Sequence, residues 1–244
     1  MRAAGPDGAG AAPPPGSDDT RRLPPGLAAL DTRFVMAATV VGIDGGDVRV
    51  EHPRNADDLI SERDYAHDER LPYWADLWPS SIALARTMPA LAPAPARTIE
   101  LGCGLGLVTV AALRAGHDVL ATDYYADALL FTRRNAWSAV GREPTVRLVD
   151  WRTWPDDLGR FDLVLASDVL YERPYAALVS TAIARSIAPG GVAYVADPGR
   201  AALGTFIADC RLAGLSVAER FRVPHPAGAV EQVITIHEIR THAA

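Results

Sequence analysis

Three glycines stand at alternate positions in Glu100-Leu101-Gly102-Cys103-Gly104-Leu105-Gly106, between the short run that begins at Thr98-Ile99 and the apolar run that follows. A turn of this composition lets backbone N–H groups close on a ligand at a helix N-terminus, so it implies strand, turn and helix in that order. The dinucleotide fingerprint G-x-G-x-x-G is not met. Counted from Gly102 its third glycine falls on Leu107, and counted from Gly104 on Thr109.

The same alternation continues downstream. Strands are predicted over about 98–101, 118–122, 146–149, 161–166 and 192–196, with helices over about 105–115, 124–140, 174–187 and 200–213. Short apolar runs without polar alternation suit central parallel strands buried on both faces. Two last strands, about 216–223 and 230–240, have no helix between them and are expected to pair antiparallel. Ahead of this region, Asp44-Gly45-Gly46-Asp47 separates two β-rich runs and reads as a hairpin. Residues 80–88 have helical spacing, with Ser80 or Ser81 as the expected N-cap. Residues 1–25 are mostly Ala, Gly and Pro and are expected to be a disordered tail. Residues 26–95 are read as a cap segment and 96–244 as the ligand-binding domain.

Composition narrows the function. The chain of 244 residues carries 24 Lys+Arg, all of them arginine, against 30 Asp+Glu. Without lysine there is no Schiff-base or Walker-A chemistry. A net charge of -6 disfavours sequence-independent nucleic-acid binding. Two cysteines, Cys103 and Cys210, are too few for a disulfide scaffold and fit a reducing cytoplasm. No apolar run reaches the ~18 residues of a membrane span. The histidines, such as His52, His67 and His237, show no metal-ligand spacing, so no metal is expected.

Asp123 ends the second strand of the predicted sheet, where an acid accepts hydrogen bonds from ribose hydroxyls. Glu100, just ahead of the glycine turn, would repel a pyrophosphate and suit a ligand with an amino group and a sulfonium. Glu-x-Gly-x-Gly-x-Gly followed by that acid resembles the seven-stranded S-adenosylmethionine-dependent methyltransferases. Pro72-Tyr73-Trp74-Ala75-Asp76-Leu77-Trp78-Pro79-Ser80 and Asp168-Val169-Leu170-Tyr171 resemble the tryptophan-proline segment and the D-x-x-Y motif of one of its families, the D-x-x-Y protein-lysine methyltransferases. Asp150-Trp151 also fits that family, and Asp197-Pro198-Gly199-Arg200 is similar to its branch acting on the electron-transfer flavoprotein β-subunit.

The resemblance implies an α/β, Rossmann-like seven-stranded sheet, mostly parallel with an antiparallel last strand, preceded by a hairpin and helical cap. It implies S-adenosyl-L-methionine as cofactor and a protein lysine as acceptor, with a small-molecule methyltransferase on the same fold and a non-catalytic module that binds this cofactor as the alternatives. Glu100, Gly102 and Gly104 would cradle the methionine end. Asp123 would hold the ribose, Asp150 and Trp151 would border the adenine, Ala166 and Ser167 would line the donor, and Trp78 would close over it. Asp168 and Tyr171 would face the acceptor nitrogen. A monomer without nucleic-acid or membrane partners is expected.

Bland roles stand beside these. Asp168 suits the N-cap of the next helix. Trp74 and Trp78 suit a staple between cap and sheet. Cys103 suits a small packed side chain. Arg133-Arg134 suits a solvated helix face.

Overall fold

The computed structural model describes residues 22–59, 72–227 and 230–241. The expected tail up to residue 21, His67 and most of the polar stretch before Pro72 lie outside the described residues.

Two short helical turns, α1 (Pro25–Ala28) and α2 (Leu30–Arg33), lead into an antiparallel hairpin of β1 (Met36–Ile43) and β2 (Gly46–Pro53). Ile43 pairs with Gly46, so Asp44-Gly45 is the two-residue turn. After Pro72 comes α3 (Pro79–Thr87). Then strands and helices alternate: β3 (Arg97–Leu101), α4 (Leu107–Arg114), β4 (Asp118–Asp123), α5 (Ala126–Val140), β5 (Thr145–Leu148), β6 (Phe161–Ser167), α6 (Tyr175–Ser186), β7 (Ile187–Asp197), α7 (Leu203–Leu212), β8 (Leu215–Ala227) and β9 (Val230–Thr241).

Strands β3 to β9 form one seven-stranded sheet in the order β5-β4-β3-β6-β7-β9-β8. All pairs from β5 to β7 are parallel, and β9 runs antiparallel to both of its neighbours. The expected fold class is therefore the observed one. The strand order reverses between β3 and β6. In open α/β sheets that reversal opens a crevice at the carboxyl ends of the strands.

The hairpin, α3 and α4 share one apolar cluster with the sheet. Val41, Val48, Val50, Trp74, Leu84 and Met88 pack with Leu107, Val110, Leu163 and Tyr194. Trp74 lies between Phe34, Phe131 and Tyr125, with ring centroids 5.5–6.5 Å away. Trp74 is thus the staple between cap and sheet, while Trp78 turns toward the crevice.

Two local expectations are corrected. Trp78 is the N-cap of α3 without a side-chain hydrogen bond, and Pro79 fills the first helical position, where a missing N–H costs nothing. Ser81 donates back to the Trp78 carbonyl instead, and Ser80 is fully buried with its hydroxyl engaged elsewhere. Arg134 is not on a solvated face. It is buried, paired with Glu51 and Asp31, and donates to the Leu27 carbonyl. The pair of arginines splits because α5 carries the hairpin on one side, and a buried guanidinium persists only with partners. Arg133 pairs with Glu143 near the surface. Among the described residues, no helix is long and apolar enough to cross a membrane.

Candidate functional site

One cleft occupies the crevice at the strand reversal. With the solvent in its mouth it encloses about 1320 Å³. Its floor is the glycine turn between β3 and α4. Gly102, Gly104 and Gly106 all have φ between +51° and +80°, the left-handed region where glycine carries no steric penalty. At Gly104 the chain also runs close to the cap: a Cβ there would lie 3.2 Å from the Trp74 carbonyl oxygen.

Asp123 fastens this turn to the end of β4. Its carboxylate accepts from the Gly104 N–H and from the Tyr125 N–H, each at 2.9 Å. It lines the cleft but is only 6% exposed. Burial raises its pKa from the usual carboxylate value to about 6, against the backbone hydrogen bonds that lower it.

Asp150 and Trp151 also line the cleft. Asp150 accepts from the Arg152 N–H at 3.0 Å and holds the Arg152 guanidinium at 2.8 Å. Trp151 lies against Gly102, 3.5 Å from where a Cβ would stand there. Its indole nitrogen is buried without a hydrogen-bond partner. Such a group is costly unless something outside the described contacts meets it.

The cleft wall is a row of rings drawn from three segments. Trp78 lies 6.0 Å from Tyr73, Tyr73 lies 5.0 Å from Tyr171, Tyr171 lies 4.6 Å from Tyr175, and Tyr175 lies 5.8 Å from Trp151. Tyr171 reaches the surface at 36% exposure. Desolvation among these rings pushes its phenol above the ordinary range, and Tyr175 adds to the shift.

Asp168 stands just past β6 with φ +56°, the one non-glycine in the left-handed region among the described residues. Asp tolerates that region better than most residues, but at a cost. Several contacts hold it there. Its N–H donates to the Ala196 carbonyl at 3.0 Å. One carboxylate oxygen accepts from Ser80 at 3.0 Å, and the other accepts from Arg200 Nε at 2.8 Å and is ion-paired with Nη2 at 2.7 Å. It does not cap the next helix, whose N-cap is Pro174. The left-handed turn aims the carboxylate at α3 and at the loop after β7, away from α6.

The structure therefore brings Trp78, Gly102, Gly104, Asp123, Asp150, Trp151, Ser167, Asp168 and Tyr171 to one cleft. Glu100 and Ala166 are not on its surface. Ala166 is fully buried in β6. Glu100 is also buried, and its carboxyl accepts from Thr109 on α4. Burial lifts its pKa to about 8, with the charge of Asp123 adding to the rise and the Thr109 hydrogen bond opposing it. Cys103 is a packed thiol, not an activated one: burial pushes its pKa up, and its sulfur lies 3.2 Å from the Thr132 hydroxyl. Tyr175, Tyr124 and Tyr125 line the cleft without having been singled out from the sequence.

Residues 99–191 match the family model described as a methyltransferase domain. The match ends within β7, while the sheet of the domain continues to Thr241.

Among curated relatives, the chain is similar to protein-lysine methyltransferase METTL21E of Mus musculus, 30% identical over 115 residues, covering 42% of this chain and 47% of the relative. It is similar to the electron transfer flavoprotein beta subunit lysine methyltransferase of Xenopus laevis, 31% identical over 147 residues, covering 53% of this chain and 54% of the relative. The chain spans about half the length of the curated relatives it matches.

Among solved structures, the N-methyltransferase NodS from Bradyrhizobium japonicum, in complex with S-adenosyl-L-homocysteine, superposes with a TM-score of 0.56 at 17% identity, covering 77% of this chain and 98% of that one. The ribosomal protein L11 methylase from Lactobacillus delbrueckii subsp. bulgaricus superposes with a TM-score of 0.54 at 17% identity, covering 68% and 81%. Identities this low establish the shared fold and nothing finer.

Proposed function

We propose that this chain transfers methyl groups from S-adenosyl-L-methionine to lysine side chains of a protein. The observation that carries the reading is the convergence of the glycine turn, Asp123 and the Asp168-to-Tyr171 motif on one cleft at the strand reversal. Relatives with protein-lysine methyltransferase names support the acceptor class.

The residues present suit this donor. Asp123 offers carboxylate lone pairs at the end of β4, where a ribose would place its hydroxyls. Trp151 offers an aromatic face and an indole N–H that lacks a partner. The turn presents backbone, with no lysine and with the Asp123 carboxylate beside it, which fits a cationic amino-acid moiety better than a pyrophosphate. Gly102 and Gly104 would hold the methionine end, Asp150 and Trp151 the adenine, Ser167 the strand end, and Trp78 the lid. Glu100 and Ala166 would act from behind, by shaping the turn and the strand.

When bound, the donor supplies an already activated methyl group on a sulfonium. The protein's work is then alignment, with reacting atoms brought to ~3–3.5 Å. A lysine acceptor has a reference pKa of about 10.4 and must lose a proton before it attacks. Asp168 is held by Ser80 and Arg200, so it serves to orient the amine by charge-assisted hydrogen bonding, and the proton leaves to water. The ring faces of Trp78, Tyr73 and Tyr171 attract the cationic amine. The cleft mouth is open, with Asp76 and Glu172 exposed at its rim, which suits a long side chain reaching in from a protein surface. Two cysteines, both buried and free, support a reducing, cytoplasmic setting.

Incubating the chain with methyl-labelled donor and a cell extract should label protein bands, with methyl-lysine found on mass spectrometry. Label confined to small molecules would overturn the protein-lysine reading and favour a small-molecule acceptor. The chain has no lysine, so any methyl-lysine comes from another protein. Asp168→Asn should lower transfer by about 10- to 100-fold, the value of ~1.5–3 kcal/mol for a hydrogen bond to a charged group. Calorimetric binding of S-adenosyl-L-homocysteine should be retained in that variant.

A further inference from the structure

We infer that Arg200 is the resident counter-cation of Asp168 and that the acceptor's cationic amine competes with it for this site and displaces it. The inference rests on the methyl-transfer reading of this cleft.

Arg200 sits in the cleft on the loop after β7. Both of its bonds to Asp168 go to the same carboxylate oxygen, at 2.7 and 2.8 Å. Its guanidinium carbon also lies 5.4 Å from the centroid of the Trp78 ring. A carboxylate and an indole face are the two attractions that hold an arginine here, and any alkylammonium would use the same two. The position Arg200 fills is therefore a site for a cation.

The two partners of Asp168 are not equally fixed. Ser80 is 0% exposed on α3, with no room to move. The Arg200 side chain is 32% exposed, whereas that of Asp168 is 4% exposed. The Arg200 backbone is pinned, because its N–H and that of Gly199 both donate to Asp197 at 2.8 and 2.7 Å. The side chain beyond that anchor borders the cleft mouth, and it alone can leave without unpacking the core.

Charge balance then favours exchange. Asp168 and Asp197 are both buried, and their charges act on each other. If Arg200 leaves with no replacement, a buried carboxylate is left uncompensated, which is strongly unfavourable. If a cation enters while Arg200 stays, two positive charges crowd one carboxylate. Exchange of one cation for another avoids both outcomes. A neutral acceptor of the same length cannot make that exchange.

The test uses the full chain saturated with S-adenosyl-L-homocysteine, with n-butylammonium as the probe and n-butanol as the neutral control. In Arg200→Gln, n-butylammonium should bind about tenfold more tightly than in the unaltered chain, while n-butanol binds equally to both. Arg200→Met serves if the glutamine variant is unfolded by circular dichroism. In the unaltered chain, saturating n-butylammonium should shift the Arg200 Nε–H resonance, a change that a merely structural arginine would not show. Equal or weaker binding by the variants, or an unmoved resonance at saturation, overturns the displacement while leaving the methyl-transfer reading intact. Failure of the unaltered chain to bind S-adenosyl-L-homocysteine overturns that reading, and the inference with it.

Discussion

Gly106→Ala should destabilise the fold by about 2–5 kcal/mol and abolish binding of S-adenosyl-L-homocysteine. Gly106 is the N-cap of α4 with φ +80°. A left-handed conformation costs an L-residue roughly 1–2 kcal/mol. Space is the second problem. A Cβ at this position would lie 2.8 Å from the Cα, Cγ2 and Oγ1 of Thr132. One of those atoms is backbone, so no rotamer change relieves the clash, and overpacking of this kind costs about 1–3 kcal/mol. Thr132 cannot retreat without consequence, because its hydroxyl donates to the Gly104 carbonyl at 3.0 Å and lies 3.2 Å from the Cys103 sulfur. Pushing α5 away therefore pulls on the turn that forms the cleft floor. Gly214→Ala is the control. It has φ +78° and no neighbouring atom within 4 Å of its Cβ position, so it should show only the backbone part, about 1–2 kcal/mol. Urea unfolding of both variants measures the difference. Equal losses would show that the turn and α5 move apart freely.

Most of the architecture could be read along the chain because its signals are local. The glycine turn sits between a strand and a helix in sequence as it does in space. The apolar runs of β3, β4, β6 and β7 are buried on both faces, which is why they lack polar alternation. Asp123 and Asp168 stand at strand ends, where the topology brings them to one crevice. The unread parts are contacts between distant residues. Ser80 looked like an N-cap because its neighbourhood is a helix start. Its partner is Asp168, 88 residues away, and no local pattern encodes that distance. Arg200 and Asp168 are 32 residues apart and meet because β6 and β7 are adjacent parallel strands. Tyr175 and Tyr73 join the ring row only once α6 and the segment before α3 meet over the cleft. Arg134 illustrates the converse: two adjacent arginines on one helix have opposite environments because only one faces the hairpin. Glu100 was placed by its sequence neighbours toward the ligand. β3 turns its side chain instead toward Thr109 beneath the turn.

That placement makes Glu100 the source of a large pH dependence of stability. Its folded pKa is about 8, against an ordinary value of 4.5. Below pH 4.5 the carboxyl is protonated in both the folded and the unfolded chain, and it contributes no slope. Between 4.5 and 8 the unfolded chain gives up the proton and the folded chain keeps it. The folded state then binds more protons, so stability falls as pH rises through this window. Above pH 8 both states are ionised, and the full penalty of a buried carboxylate is in place. At 1.36 kcal/mol for each unit, the loss across the window is on the order of 5 kcal/mol. Asp123 acts in the same sense over a lower range, from its ordinary 3.8 to about 6. Glu100→Gln keeps a group that can accept from Thr109 but carries no ionisable proton. The variant should therefore match the unaltered chain near pH 5 and exceed it by several kcal/mol at pH 8. Urea unfolding at pH 5, 6, 7 and 8 tests this directly. The fall between pH 6 and 8 should vanish in the variant, while the fall below pH 6 should persist because Asp123 remains. Parallel curves for the two proteins would show that Glu100 is ionised in the folded state at neutral pH, with a counter-charge reaching it beneath the turn.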